Sequence, residues 1–231
     1  MRPSATPALR KRREGLTLLV VTAVEAERDA ILAALRDRAT LTTSGQVEVA
    51  QSGVGPAAAA AATSAALATG DYDLVISAGI GGGFEPIGVG AIAVAATIAF
   101  ADLGADTDAG FVPISALGFG TDRYDVPAQL AIELTDRTGG HLGTILTVAT
   151  VTGTAERAHD LRGRFPDAVA EAMEGAGVAA AAALHGVPFA EVRAISNSVG
   201  PRDREAWRIP DALAALGRAV AAITNAPLEV R

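Results

Sequence analysis

The stretch Leu16–Val24, LTLLVVTAV, decides the fold because it can be read in two ways. Behind RKRR (Arg10–Arg13) it has the layout of a secretory leader, with Val24-Glu25-Ala26 in the place of a cleavage site. The same short apolar run serves equally as the first strand of a buried parallel sheet. The strand reading is preferred, because the residues that follow carry chemistry. TAVEAER (Thr22–Arg28) places a carboxylate, Glu27, in the first turn after the strand. Open α/β sheets keep their ligand sites outside such carboxyl ends.

Working outward from this strand, apolar runs alternate with helical stretches. Strands are expected at Leu16–Thr22, Val47–Gln51, Leu74–Ser77, Ala91–Phe100, Gly143–Ala149, Val169–Met173 and Pro188–Ile195. Helices are expected at Glu25–Arg38, Pro56–Thr69, Pro127–Thr138, Ala155–Arg164, Gly175–His185 and Pro210–Thr224, with a loop-rich middle over 101–125. The alternation predicts a single α/β domain over 16–231, with a central mixed and mostly parallel sheet flanked by helices. No repeat or linker divides it. The longest uncharged run, residues 49–70, is broken by Gln51, Ser52, Pro56 and glycines, so no membrane span is expected.

The formal net charge is −7, unevenly placed. Residues 1–15 hold five basic side chains against Glu14, a local +4, and read as a solvated, disordered basic tail. The acidic remainder argues against nucleic acid as a partner. The chain has no Cys, which removes disulfides and thiolate chemistry, and its three His lie far apart, so no metal site is expected.

Three strand ends are informative. SGVGPA (Ser52–Ala57) is a glycine loop entering a helix, where backbone amides can approach an anion or a hydroxyl-rich ligand. It also fits a relaxed dinucleotide fingerprint, Gly53-x-Gly55-x-x-Ala58, although after the second strand rather than the first. SAGIGGGFEP (Ser77–Pro86) is a second glycine segment, and neither contains Arg or Lys, which counts against a free-phosphate pocket. The third group is polar: Glu27, Glu174 directly after Met173, and Asn197 at the end of EVRAISN (Glu191–Asn197). Two carboxylates and one amide around a cleft suit reactions at a sugar, where a carboxylate activates water and an oxocarbenium-like charge needs support.

TAVEAER, SGVGPAAAA (Ser52–Ala60), AGIGGGF (Ala78–Phe84), AMEGAGVA (Ala172–Ala179) and VPFAEVRAISN (Val187–Asn197) occur in the order of one known family. In these elements the chain resembles the nucleoside phosphorylase/nucleosidase superfamily, closest to its methylthioadenosine/S-adenosylhomocysteine nucleosidases and futalosine hydrolases. The resemblance implies that Glu27 activates the attacking water and that Glu174 grips the ribose hydroxyls, with Met173 packed on the sugar. It places Val151 and Thr152 at the purine and Val24 and Val54 at the 5′ substituent, with Gly81 and Ser196 completing the binding set.

At Asn197 the chain departs from the adenosine-type pattern, which has an Asp that protonates the leaving base. An amide cannot be a general acid, but it can accept from N7–H while donating to a 6-oxo group. That polarity matches hypoxanthine and opposes adenine. Together with this polarity, the resemblance implies an N-glycosidase that hydrolyses futalosine to hypoxanthine and dehypoxanthine futalosine, on the route to menaquinone, without cofactor or metal. The enzyme is expected in the cytoplasm as a homo-oligomer acting on a small nucleoside, away from nucleic acid and membrane. Arg123, Arg202 and Arg204 are open candidates for the carboxyphenyl group at the 5′ end. Rival readings are a 6-oxopurine nucleoside phosphorylase, a methylthioadenosine nucleosidase and a non-catalytic nucleoside-binding sensory domain.

Overall fold

A computed structural model describes residues 16–36 and 45–229. The basic tail and the expected last turn of the first helix, Asp37 and Arg38, lie outside the described residues. LTLLVVT forms strand β1 (Leu16–Thr22), with Leu18 to Val21 all but inaccessible. Helix α1 (Glu25–Arg36) follows, then β2 (Gly45–Gln51), α2 (Pro56–Thr69) and β3 (Leu74–Gly83). β4 (Ile92–Phe100), a small hairpin of β5 (Gly104–Thr107) and β6 (Gly110–Pro113), and β7 (Arg123–Asp125) fill the middle of the chain. The second half runs α3 (Ala128–Thr138), β8 (His141–Thr147), α4 (Ala155–Arg164), β9 (Ala168–Ala172), α5 (Gly175–His185), β10 (Phe189–Ser198) and α6 (Ile209–Ile223).

The sheet order is β10-β4-β8-β9-β3-β1-β2, and β10 also pairs with β3. Five strands (β3, β10, β4, β8 and β9) therefore close into a ring, while β1 and β2 extend from β3 as an open wing. Pairing is parallel for β1 with β2 and β3, β3 with β10, β4 with β8, and β8 with β9. It is antiparallel for β10 with β4 and β3 with β9. The sheet is thus mixed and mostly parallel, as expected.

One boundary differs from the sequence reading in a way that matters. The expected strand at Leu74–Ser77 continues through AGIGGG to Gly83 instead of ending in a loop. Glycines normally weaken a strand, but this segment is pressed between two neighbours. A Cβ on Gly81 would lie 2.8 Å from the Glu171 carbonyl oxygen, and one on Gly82 would lie 2.9 Å from Val199. The ring can close there only because β3 lacks side chains at that point. Beyond the expected loop, β10 likewise runs to Ser198, with a register shift between Ile195 and Asn197.

The helices seal this sheet by close backbone approach. A Cβ on Gly177 of α5 would lie 2.1 Å from the Pro56 carbonyl oxygen of α2, so these two alanine-rich helices touch nearly backbone to backbone. Leu18, Val20, Ile31, Leu74, Ile76, Leu216 and Ile223 belong to the largest buried cluster, which joins β1 and β3 to α1 and α6.

Candidate active site

β1, β3 and β10 run one way and β4, β8 and β9 the other, so two sets of strand ends meet over the glycine run of β3. A cavity of about 410 Å³ opens there, a size suited to a small ligand. Glu27, Glu174, Asn197, Met173, Val151, Thr152, Val54, Val24, Gly81 and Ser196 all line it. Of the three open arginines, Arg202 lines the cavity together with Trp207, and its guanidinium lies 5.2 Å from the Trp207 ring. Arg204 lies 5.7 Å from the same ring outside the cavity lining, and Arg123 sits 4.9 Å from Phe165, also outside it.

Glu27 is 3% exposed and is held by three backbone amides. Ala23 and Val24 donate to Oε2 at 2.9 and 3.2 Å, and Ile80 donates to Oε1 at 2.9 Å. A carboxylate offers about four acceptor positions, which leaves one for a molecule in the cavity. The turn after β1 thus folds back on its own side chain, and β3 pins the other oxygen.

Glu174 caps the start of α5 with its carboxylate turned away from the helix. Gly55 donates to Oε1 at 3.1 Å, and Arg193 donates to Oε2 at 3.2 Å. Gly53 and Gly55 have φ of 88° and 95°, which explains the glycines of SGVGPA. Here the structure corrects the expectation for that loop. The Gly55 amide holds the protein's own carboxylate, so it is not free for an incoming anion.

Sequence reasoning missed Arg193, which stands two residues after Glu191 in the otherwise apolar run EVRAIS. It is 1% exposed, and its three nitrogens donate to Glu191 Oε1 at 2.8 Å, Glu174 Oε2 at 3.2 Å and Ser77 Oγ at 2.9 Å. Burial works against its charge, but the carboxylates of Glu191, Glu174 and Glu27 outweigh that and hold it protonated. The site therefore has a cation beneath the cation-free glycine loops. Gly79 makes room for it: a Cβ there would lie 2.4 Å from Arg193 Nη1 and 2.7 Å from Glu27 Oε1. The alternation of a strand pointed Arg193 and Glu191 inward, yet only the fold reveals their partners.

Glu191 is fully buried, and burial pushes its carboxyl up to about 7 although Arg193 pulls the other way. Glu171, also missed, is 6% exposed and lines the cavity. Its Oε1 accepts from the Thr152 amide at 2.8 Å and its Oε2 from the Thr152 hydroxyl at 2.5 Å. Burial raises its pKa, while the Thr152 hydrogen bonds and Arg157 oppose the rise.

Asn197 is half-buried, with its amide directed by its neighbours. Ser196 Oγ lies 2.8 Å from Oδ1, and Nδ2 donates to the Ser198 carbonyl at 2.9 Å. One proton of the NH₂ and one lone pair of Oδ1 stay available for a ligand. Among the described residues no three His, Cys, Asp or Glu gather as metal ligands, and no helix is long and apolar enough to cross a membrane.

A family model described as the phosphorylase superfamily matches residues 24–229. The chain is 53% identical over 218 residues to a futalosine hydrolase of Streptomyces coelicolor, covering 88% of this chain and 93% of that relative. It is 48% identical over 217 residues to a futalosine hydrolase of Acidothermus cellulolyticus, covering 89% of each. Among solved structures, the futalosine hydrolase of Helicobacter pylori superposes with a TM-score of 0.77, covering 91% of this chain and 97% of that one; at 17% identity the likeness is one of fold. The chain belongs to the phosphorylase superfamily, and within it to the group of the futalosine hydrolases.

Proposed function

We propose that this enzyme hydrolyses the N-ribosidic bond of futalosine, releasing hypoxanthine and leaving dehypoxanthine futalosine, as a step towards menaquinone. The observation that carries the reading is an amide, Asn197, sharing one cavity with the carboxylates Glu27 and Glu174. Water held at the free acceptor position of Glu27 attacks the anomeric carbon and passes a proton to the carboxylate. The bond from that carbon to N9 breaks, and its electron pair leaves with the base. Glu174, fixed by Gly55 and Arg193, accepts hydrogen bonds from the ribose hydroxyls. Asn197 holds the departing base through N7 and the 6-oxo group, and solvent neutralises it. Catalysis by this chain's residues is positional and electrostatic.

Water is favoured over phosphate by the charge of the attacking face. A phosphate would meet Glu27 and Glu174, and the nearby Arg193 already serves Glu191, Glu174 and Ser77. In the cavity lining, Arg202 beside the Trp207 ring offers a cation and an aromatic face to a carboxyphenyl group. Val54 and Val24, 56% and 38% exposed at the cavity, suit cover by a second copy in a cytoplasmic homo-oligomer.

Hypoxanthine release from futalosine, inosine and methylthioadenosine, with and without phosphate, tests the reading. Turnover of futalosine without phosphate is expected. A preference for methylthioadenosine would overturn the role of Asn197, and an obligatory need for phosphate would overturn hydrolysis.

A further inference from the structure

Three carboxylates act on the charge of Arg193, and two of them, Glu174 and Glu27, line the cavity. The third, Glu191, lies outside the cavity lining, two residues before Arg193 on β10. Residues at this spacing on a strand share a face, and Glu191 Oε1 accepts from Arg193 Nε at 2.8 Å. Ser77, the register partner of Glu191 in β3, accepts from Nη2 at 2.9 Å. Anchoring Nε and Nη2 sets the plane of the guanidinium and delivers Nη1 to Glu174 Oε2 at 3.2 Å. Nη1 also stands beside Glu27, since a Cβ on Gly79 would meet both it and Glu27 Oε1.

The other oxygen of Glu191, Oε2, is buried without a hydrogen-bond partner among the described residues, in the space that Gly175 leaves open. An unpaired buried oxygen disfavours the anion, in keeping with a carboxyl raised to about 7. The charged groups that face it are Arg193, Glu174 at the start of α5 and, through the guanidinium, Glu27. β3 and β4 carry no titratable side chain, and α5 has only His185, at its far end. Neutral Glu191 leaves the charge of Arg193 to Glu174 and Glu27. Ionised Glu191 claims part of that charge, and both cavity carboxylates become stronger acceptors.

Resting on the proposed function, we infer that Glu191 is a positioning residue for hydrolysis. Acting through Arg193, it sets the aim of Glu174 on the ribose and the strength of Glu174 and Glu27 as acceptors. It touches no substrate. One unit of charge several ångströms away inside a protein changes an equilibrium by about tenfold.

The test is kcat/KM across the titration of Glu191, from about pH 6 to about pH 8, for wild type and two variants. The substrate is whichever of futalosine, inosine and methylthioadenosine the wild type cleaves fastest, at a temperature below every melting transition. Wild-type kcat/KM is expected to rise about tenfold over this range. Glu191→Gln keeps an acceptor for Arg193 Nε but cannot ionise, so its profile should stay flat at the acid value of the wild type. In Glu191→Val with Gly175→Ala, the methyl added at position 175 fills the vacated space, while Arg193 Nε loses its partner. That double variant should fall at least tenfold below Glu191→Gln at every pH, about the loss of one buried polar match. A Glu191→Gln profile that rises like that of the wild type would overturn the inference, as would a double variant with wild-type kcat/KM. Shifts in melting temperature with no change in the profile would also overturn it, leaving Glu191 a role in the fold alone. Because the wild type selects the substrate, failure of Glu191 to act is distinct from failure of the futalosine reading, which shows as preference for another nucleoside.

Discussion

Gly175 and Glu191 share one space: a Cβ on Gly175 would lie 1.9 Å from Glu191 Oε2 and 2.3 Å from its carboxyl carbon. The glycine that opens α5 exists to admit a carboxylate from the next strand. That carboxylate holds Arg193, and Arg193 holds Glu174 at the cavity wall. Gly175→Ala should push Glu191 aside, destabilise the protein by about 1–3 kcal/mol and lower turnover. Adding Glu191→Ala should recover much of the stability. Thermal melts of the two single variants and the double variant measure the coupling, and simple additivity would contradict the shared space.

Glu191 also makes stability depend on pH. Burial raises its carboxyl from 4.5 to about 7, with Arg193 facing it and Glu174 and Glu27 on the same guanidinium. Between these values the folded chain keeps a proton that the unfolded chain has lost, so this contribution falls as pH rises. It is fully present below 4.5 and lost above about 7. Glu191→Gln should flatten that part of the melting-temperature profile, and an unchanged slope would refute the assignment.

Glu27→Gln should lower kcat by about 10²- to 10⁴-fold with little change in KM, because it removes the base and keeps the shape. It should also cost stability. Three amide donors converge on the two oxygens, so a Gln NH₂ must face at least one of them. That mismatch is worth about 1–3 kcal/mol and is read from denaturant unfolding.

Asn197→Asp should shift preference towards 6-aminopurine nucleosides. Nδ2 donates to the Ser198 carbonyl, so an Asp carboxyl placed there is favoured in its protonated, donating form. The ratio of kcat/KM for futalosine over methylthioadenosine should fall at least tenfold. An unchanged ratio would mean that the amide does not read the base.

Arg202→Ala should raise KM for futalosine about tenfold, the loss of one charge-assisted contact, and leave inosine hydrolysis unaffected. Arg123→Ala should change neither, since Arg123 packs on Phe165 away from the cavity. Steady-state kinetics on the two nucleosides separates the outcomes.

Much of the fold was legible because local pattern and tertiary environment agree. β1, α2, α4 and α5 have the boundaries that periodicity and caps suggest. The exceptions cluster at the site. AGIGGG reads as a loop by its glycines, yet it is strand because neighbours crowd both sides of it. Arg193 and Glu171 carry no local signature, since one charge in an apolar strand says nothing of what it meets across the sheet.

The sequence by itself determined the α/β order, the polar strand ends at Glu27, Glu174 and Asn197, and the presence of an amide rather than a carboxyl at Asn197. These follow from residue type and period, which are local properties. Only the tertiary structure decided that the strands close into a ring, that Arg193 neutralises Glu174 from below, and that the Val199 side chain takes the space over Gly82. Each of these depends on pairing between distant strands, where a glycine's missing side chain matters only through the atom that takes its place.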